Sequence, residues 1–145
     1  MNYWFECKVK FDHTGNDGMI KSVSQVYLVE AISFTDAESI VIKEAQPYTS
    51  GEFEVVNIKR VKVGDLFEHA GSDKWYRCKV NYISLDEEKQ VEKKMAQIII
   101  IQASTLRDAV NALYEDMRGT LGDWEVVNVT ETPIIDVLRF TVKNG

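Results

Sequence analysis

A chain of 145 residues, 45% of them hydrophobic and 28% charged, is long enough to bury a core. Its net charge of −6 and pI near 5.0 argue against broad binding of duplex DNA, whose phosphates require a basic surface. No apolar run nears the roughly 20 residues that cross a bilayer, and Met1-Asn2-Tyr3-Trp4 has neither the basic nor the apolar region of a signal peptide.

Residues 3–11 alternate, with Tyr3, Phe5, Cys7, Val9 and Phe11 on one face and Trp4, Glu6, Lys8 and Lys10 on the other. Period 2 of this kind predicts a half-buried strand. A Gly-, Asn- and Asp-rich turn over Asp12 to Gly18 leads to a second strand, about Ser22–Ala31, with Val26-Tyr27-Leu28-Val29 apolar on both faces. Ser33 and Asp36 have capping-box spacing. They open a helix whose stripe is Phe34, Ala37, Ile40, Val41 and Ala45, and Pro47 stops it. Gly51 leads into a third strand, Phe53 to about Lys62, with a basic end. Residues 63–73 read as a polar connection.

From Trp75 the order repeats. Tyr76, Cys78, Val80 and Tyr82 face one way, and Trp75, Arg77, Lys79 and Asn81 the other. Asp86 to Lys94 reads as a charged hairpin connection. Ile98-Ile99-Ile100-Ile101 is a β-branched run expected in a strand buried on both faces. Thr105 and Asp108 cap a second helix, with stripe Leu106, Ala109, Val110, Leu113 and Met117, that ends near Gly119 or Gly122. Trp124–Val129 is the last long strand, Pro133 ends or bends it, and 134–143 is a short apolar tail.

The two halves are related position by position. Trp4-Phe5-Glu6-Cys7-Lys8-Val9 matches Trp75-Tyr76-Arg77-Cys78-Lys79-Val80 at an offset of 71. Ser24–Ala31 matches Ala96–Ala103, and Ser33–Ala37 matches Thr105–Ala109, both at 72. Gly51–Ile58 matches Gly122–Val129 at 71 again. The expected fold is one α+β domain over 1–145, an internal duplication of a β-β-α-β unit (3–62 and 74–130, with a tail 131–145). Approximate twofold symmetry is expected, with the helices on one face of mainly antiparallel sheet. Each unit has expected strand order 2-1-3. Either one six-stranded sheet or two stacked sheets satisfies these rules.

The two openings, with Tyr48-Thr49-Ser50-Gly51-Glu52-Phe53 between them, resemble a family of small proteins from Bacteroidetes bacteria and their phages, a domain of unknown function. The resemblance covers nearly the whole chain. It implies a bacterial or phage origin and a cytoplasmic location, and it transfers no catalytic residue.

Residue chemistry points to binding, not catalysis. His13 and His69 fall in expected loops without ligand spacing to any Cys or carboxylate. No phosphate-binding glycine loop, nucleophile elbow or HExxH is present. Glu30 with Asp36, and Glu115 with Asp116, are carboxylate pairs on charged surfaces and carry little catalytic meaning. Cys7 and Cys78 are expected reduced and buried, since neither has metal or CxxC spacing. No metal, cofactor or small-molecule substrate is inferred.

The sheet face away from the helices is expected to gather Trp4, Lys8, Lys10, Trp75, Arg77 and Lys79, with Tyr27 and Ile99 beside them. Aromatics among cations on a sheet hold single-stranded DNA or RNA by stacking bases and neutralising phosphates. Lys59, Arg60 and Lys62 are expected to assist. Such a module would serve as a replication or recombination accessory. The alternative is that the same face is covered, in a domain that self-associates or binds a protein partner without nucleic acid. Exposure of the Trp4 and Trp75 rings separates the two.

Overall fold

The computed structural model describes residues 2–49 and 52–140. In chain order the first elements are β1 (Tyr3–Thr14), β2 (Ile20–Ala31), α1 (Phe34–Ala45), a 3-10 turn (Gln46–Tyr48), β3 (Phe53–Val61) and β4 (Asp65–Phe67). There follow β5 (Lys74–Asp86), β6 (Val91–Ala103), α2 (Leu106–Asp116), β7 (Asp123–Glu131) and β8 (Ile134–Leu138). The fold is α+β, with two four-stranded sheets in place of one six-stranded sheet, ordered β3-β1-β2-β8 and β4-β6-β5-β7. The chain divides into two compact units, Met1–Lys62 with Pro133–Gly145, and Val63–Thr132. Gly51, expected to lead into the third strand, lies outside the described residues, as does the end of the expected tail.

In the first unit β1 pairs antiparallel with both β2 and β3, which gives the expected order 2-1-3. The β1–β2 turn is closed by the Gly15 amide donating to the Met19 carbonyl at 2.9 Å. It needs the left-handed backbone that Gly18 adopts at φ 78°. One face of the sheet presents Phe5, Cys7, Val9, Tyr27 and Val29 to Ala37, Val41 and Ala45 of α1. Small residues on the helix let it approach closely, and each fully buried Val or Phe contributes about 1.5–3 kcal/mol. The Ser33 hydroxyl accepts from the Asp36 amide at 3.1 Å, while the Asp36 carboxylate accepts from the Ile32 amide at 3.0 Å. This is a reciprocal cap, displaced by one residue from the expected box. The expected stripe is corrected at Phe34, which is exposed at the first helical turn and meets Phe5 edge to face, ring centroids 4.9 Å apart.

In the second unit β5 pairs antiparallel with β6 and β7. Its core joins Tyr76, Cys78, Val80, Ile99 and Ile101 to Ala109, Leu113 and Met117. The Thr105 hydroxyl caps α2 by accepting from the Asp108 amide at 3.1 Å.

Both hairpins run further than period-2 reading allowed, because backbone pairing continues after side-chain burial stops. Residues 91–94, expected in a connection, belong to β6, and His13 lies in β1. Two segments expected to be irregular are strands. Residues 63–73 contain β4, parallel to Ile99–Ile101 of β6, and the tail contains β8, parallel to Val26–Val29 of β2. Each is short, and each satisfies the outer backbone groups of an apolar strand that would otherwise be an open edge.

Candidate functional site

β1 carries the first three candidate residues. Trp4 is half-buried, and Lys8 and Lys10 are exposed, all on the face away from α1. Register decides their neighbours. Trp4 lies between Val61 and Glu30, Lys8 between Asn57 and Val26, and Lys10 between Glu54 and Ser24. Glu6, between Trp4 and Lys8 on this face, lies opposite Lys59 of β3. Two of the cations are therefore matched by a carboxylate on the next strand, and the Trp4 ring has Glu30 beside it. Opposite charges at facing positions attract by about 0.2–1 kcal/mol and weaken the field that would draw in a phosphate.

β5 carries the other three. Trp75 is buried at 4% exposure, which leaves no ring face for a base. Arg77 is exposed between Ile100 and Thr130, and Lys79 is half-buried between Ile98 and Asn128. Further along the face, Glu125 accepts from the Asn81 amide group at 3.1 Å and pairs with Lys94 at 3.0 Å. The Asn81 hydrogen bond, and then Lys94, hold the Glu125 carboxyl below its ordinary value of 4.5.

Several expected neighbours lie elsewhere. Tyr27 and Ile99 are on the helix-covered faces, because Tyr27 is opposite Cys7 and Ile99 opposite Cys78. Counting parity along one strand does not reveal this; the hairpin register does. Arg60 is likewise on the helix side, opposite Phe5, with its guanidinium 3.7 Å from the centroid of the Tyr3 ring. Lys59 remains on the face away from α1 with Glu6.

Cys7 and Cys78 are free and buried, in different sheets. Burial pushes the Cys7 thiol up to about 12, with Glu6 adding to it, and the Cys78 thiol up to about 11. Neither is a nucleophile at neutral pH. His69 departs from expectation. Its Nε2 lies 3.0 Å from Asp116 Oδ2, and its amide donates to Gln102 Oε1 at 3.0 Å. The side chain of Gln102 in turn donates to the Ser72 carbonyl at 2.8 Å, so this group ties the segment after β4 to β6 and α2. A sequence separation of 47 hid the pair of His69 and Asp116 from any spacing rule. Among the described residues no group of three or more His, Cys, Asp and Glu is placed to hold a metal ion. Within those residues no helix is long and apolar enough to cross a membrane.

The outer edges of β3 and β7 were not singled out as sites by residue type, since edge position is a property of topology. Each is a nine-residue terminal strand of its sheet. Each contains a bulge, at Val56 against Lys8/Val9 and at Val127 against Lys79/Val80. Both bulge valines are 47% exposed. A shallow depression of about 550 Å³ flanks the start of β3, lined in part by Lys10, Glu52 and Glu54.

Comparison with curated proteins finds no match. The chain belongs to the family described as "Domain of unknown function (DUF4494)", which it matches over residues 3–140.

Proposed function

We propose that the protein is a non-enzymatic binding module whose partners are proteins, not nucleic acid. The observation that carries this reading is the interleaving of carboxylates with the cations on the strand faces away from the helices. Lys10 faces Glu54, Lys59 faces Glu6, and Lys94 is bound to Glu125. A phosphate backbone approaching β1 meets Glu6, Glu30 and Glu54 as well as the lysines, and the burial of Trp75 removes one of the two stacking platforms. Open edge strands with exposed bulge valines are the kind of surface to which a protein adds a strand.

Lys8, Arg77 and Lys79 support the competing nucleic-acid reading, since all three have uncharged neighbours on either side. Fluorescence anisotropy with a labelled single-stranded oligonucleotide at low salt decides between them. The expected result is no binding. Salt-sensitive binding that weakens in Lys8→Ala and Arg77→Ala/Lys79→Ala, with the fold intact, overturns the protein-binding reading.

We also infer that the chain is a duplicated β-β-α-β unit with approximate twofold symmetry. The matched segments at offsets 71 and 72, and a bulge between the Lys and Val of each Cys-Lys-Val, support it. The resemblance and the two free thiols fit a cytoplasmic protein of a bacterium or phage.

A further inference from the structure

We propose that β3 is a self-recognition edge: two copies of the chain pair through antiparallel β3 strands about a twofold axis at Asn57. This rests on the protein-binding reading and names the partner as a second copy.

The argument starts from register. Measured against β1, Asn57 occupies the rung of Lys8. Glu54 lies two rungs to one side, at Lys10, and Lys59 two rungs to the other, at Glu6. The bulge at Val56 makes this possible. Glu54 and Lys59 are an odd number of residues apart and would face opposite ways in a regular strand. With Val56 set aside by the bulge, they share the face away from α1 with Asn57. Val55 and Ile58, one rung either side of Asn57, share the helix face and pack on its core. Phe53 and Arg60 lie three rungs out, also on the helix face.

A twofold axis through Asn57, perpendicular to the sheet, therefore sets Glu54 of each copy opposite Lys59 of the other. It also sets Val55 opposite Ile58, and Phe53 opposite Arg60. The charged pair and the aliphatic pair are complementary, and the charged pair occurs twice by symmetry, while Arg60 keeps its place over the Tyr3 ring. The outer edge of β3 is free for this, since β3 ends its sheet and Val56, Asn57 and Lys59 are exposed. Lysine on an edge strand ordinarily repels a stray strand. Here its symmetry-related position holds a glutamate, which turns a deterrent into a code for one partner.

β7 shows that the pattern is not generic to such edges. The same construction about Asn128 sets Glu125 opposite Thr130 and Trp124 opposite Glu131. Glu125 is moreover already held by Asn81 and Lys94. β7 carries no self-complementary charge.

The test is a charge-reversal mixing experiment read by sedimentation equilibrium. Wild type is expected to move with concentration from the 16.6 kDa protomer to twice that mass. Glu54→Lys alone places lysine opposite Lys59 at both symmetric sites, and Lys59→Glu alone places glutamate opposite Glu54 at both. Each variant is expected to associate roughly tenfold or more weakly than wild type. Mixed in equal amounts, the two restore a Lys–Glu pair at both sites and are expected to recover the dimer. Only folded chains can do so, which makes the mixture its own control for folding. Hydrogen exchange of wild type supplies a readout without substitutions, with protection of 53–61 rising with concentration while 123–131 stays unchanged.

A wild type that remains monomeric, single variants that dimerise normally, a mixture that fails to recover, or growth beyond the dimer each overturn the proposal. None of these results involves nucleic acid. Loss of the β3 dimer is thus distinguishable from loss of the protein-binding reading, which falls only to oligonucleotide binding.

Discussion

Leu113→Ala tests whether α2 holds its unit together through one stripe. Leu106 and Leu113 are the same residue on the same helix, and heptad spacing puts them on one face. Their surroundings differ: Leu113 is 0% exposed and packs with Ala109 and Met117 on β5 and β6, while Leu106 is 52% exposed. Truncating a fully enclosed leucine removes its transfer energy and leaves a cavity, at a cost of about 2–5 kcal/mol. Leu106 has only half of its surface to lose, so its truncation costs about 1 kcal/mol. Urea unfolding in a Trp4→Phe background makes Trp75 and Trp124, both in the second unit, the only indole reporters. With m of about 1–3 kcal/mol/M, a loss of 3 kcal/mol lowers the Leu113→Ala midpoint by about 1–3 M. Leu106→Ala should move it by less than half as much. Equal shifts, or a larger shift for Leu106→Ala, would refute the assignment of the stripe.

Two further outcomes follow from the titrating groups. Native protein should react with a thiol reagent at neutral pH far more slowly than urea-unfolded protein at both Cys7 and Cys78, because burial raises both thiols; prompt modification of either would contradict this. For Glu125, the folded carboxyl titrates below its unfolded value of 4.5, so its contribution is present above that value and is lost as pH falls through the folded one. Thermal unfolding of Glu125→Gln should therefore show a shallower loss of stability on acidification than wild type, and parallel curves would remove Glu125 from the account.

The paired strands, the two helices and their caps were legible because each is a local pattern. Alternation set the inner face of β1 and β5, and Ser33 and Thr105 marked the helix starts one residue ahead of Phe34 and Leu106. β4 and β8 were not legible. Strands of three and five residues are too short to display a period, and what recruits them is a pairing partner distant in the chain. Leu66-Phe67 reads as a strand only once Ile100 and Ile101 are known to lie beside it.

The same distinction decides the candidate site. Alternation along β1 put Trp4, Lys8 and Lys10 on one face, and the register agrees. Whether three such residues make a phosphate-binding surface depends on what stands across from them, and those neighbours come from β2 and β3, in part some 50 residues away. Glu30 beside Trp4, Glu54 beside Lys10 and Glu6 beside Lys59 set carboxylates among these cations, while Lys8 faces none. Register also generates the opposite effect on β3. Glu54 and Lys59 look like scattered surface charges in the linear sequence, and the bulge at Val56 alone brings them to one face at equal distances from Asn57. A charge on a strand therefore takes its meaning from the rung it occupies. On the inner edge of β3 that rung is already filled by β1, and on its outer edge it is open to a strand of matching order.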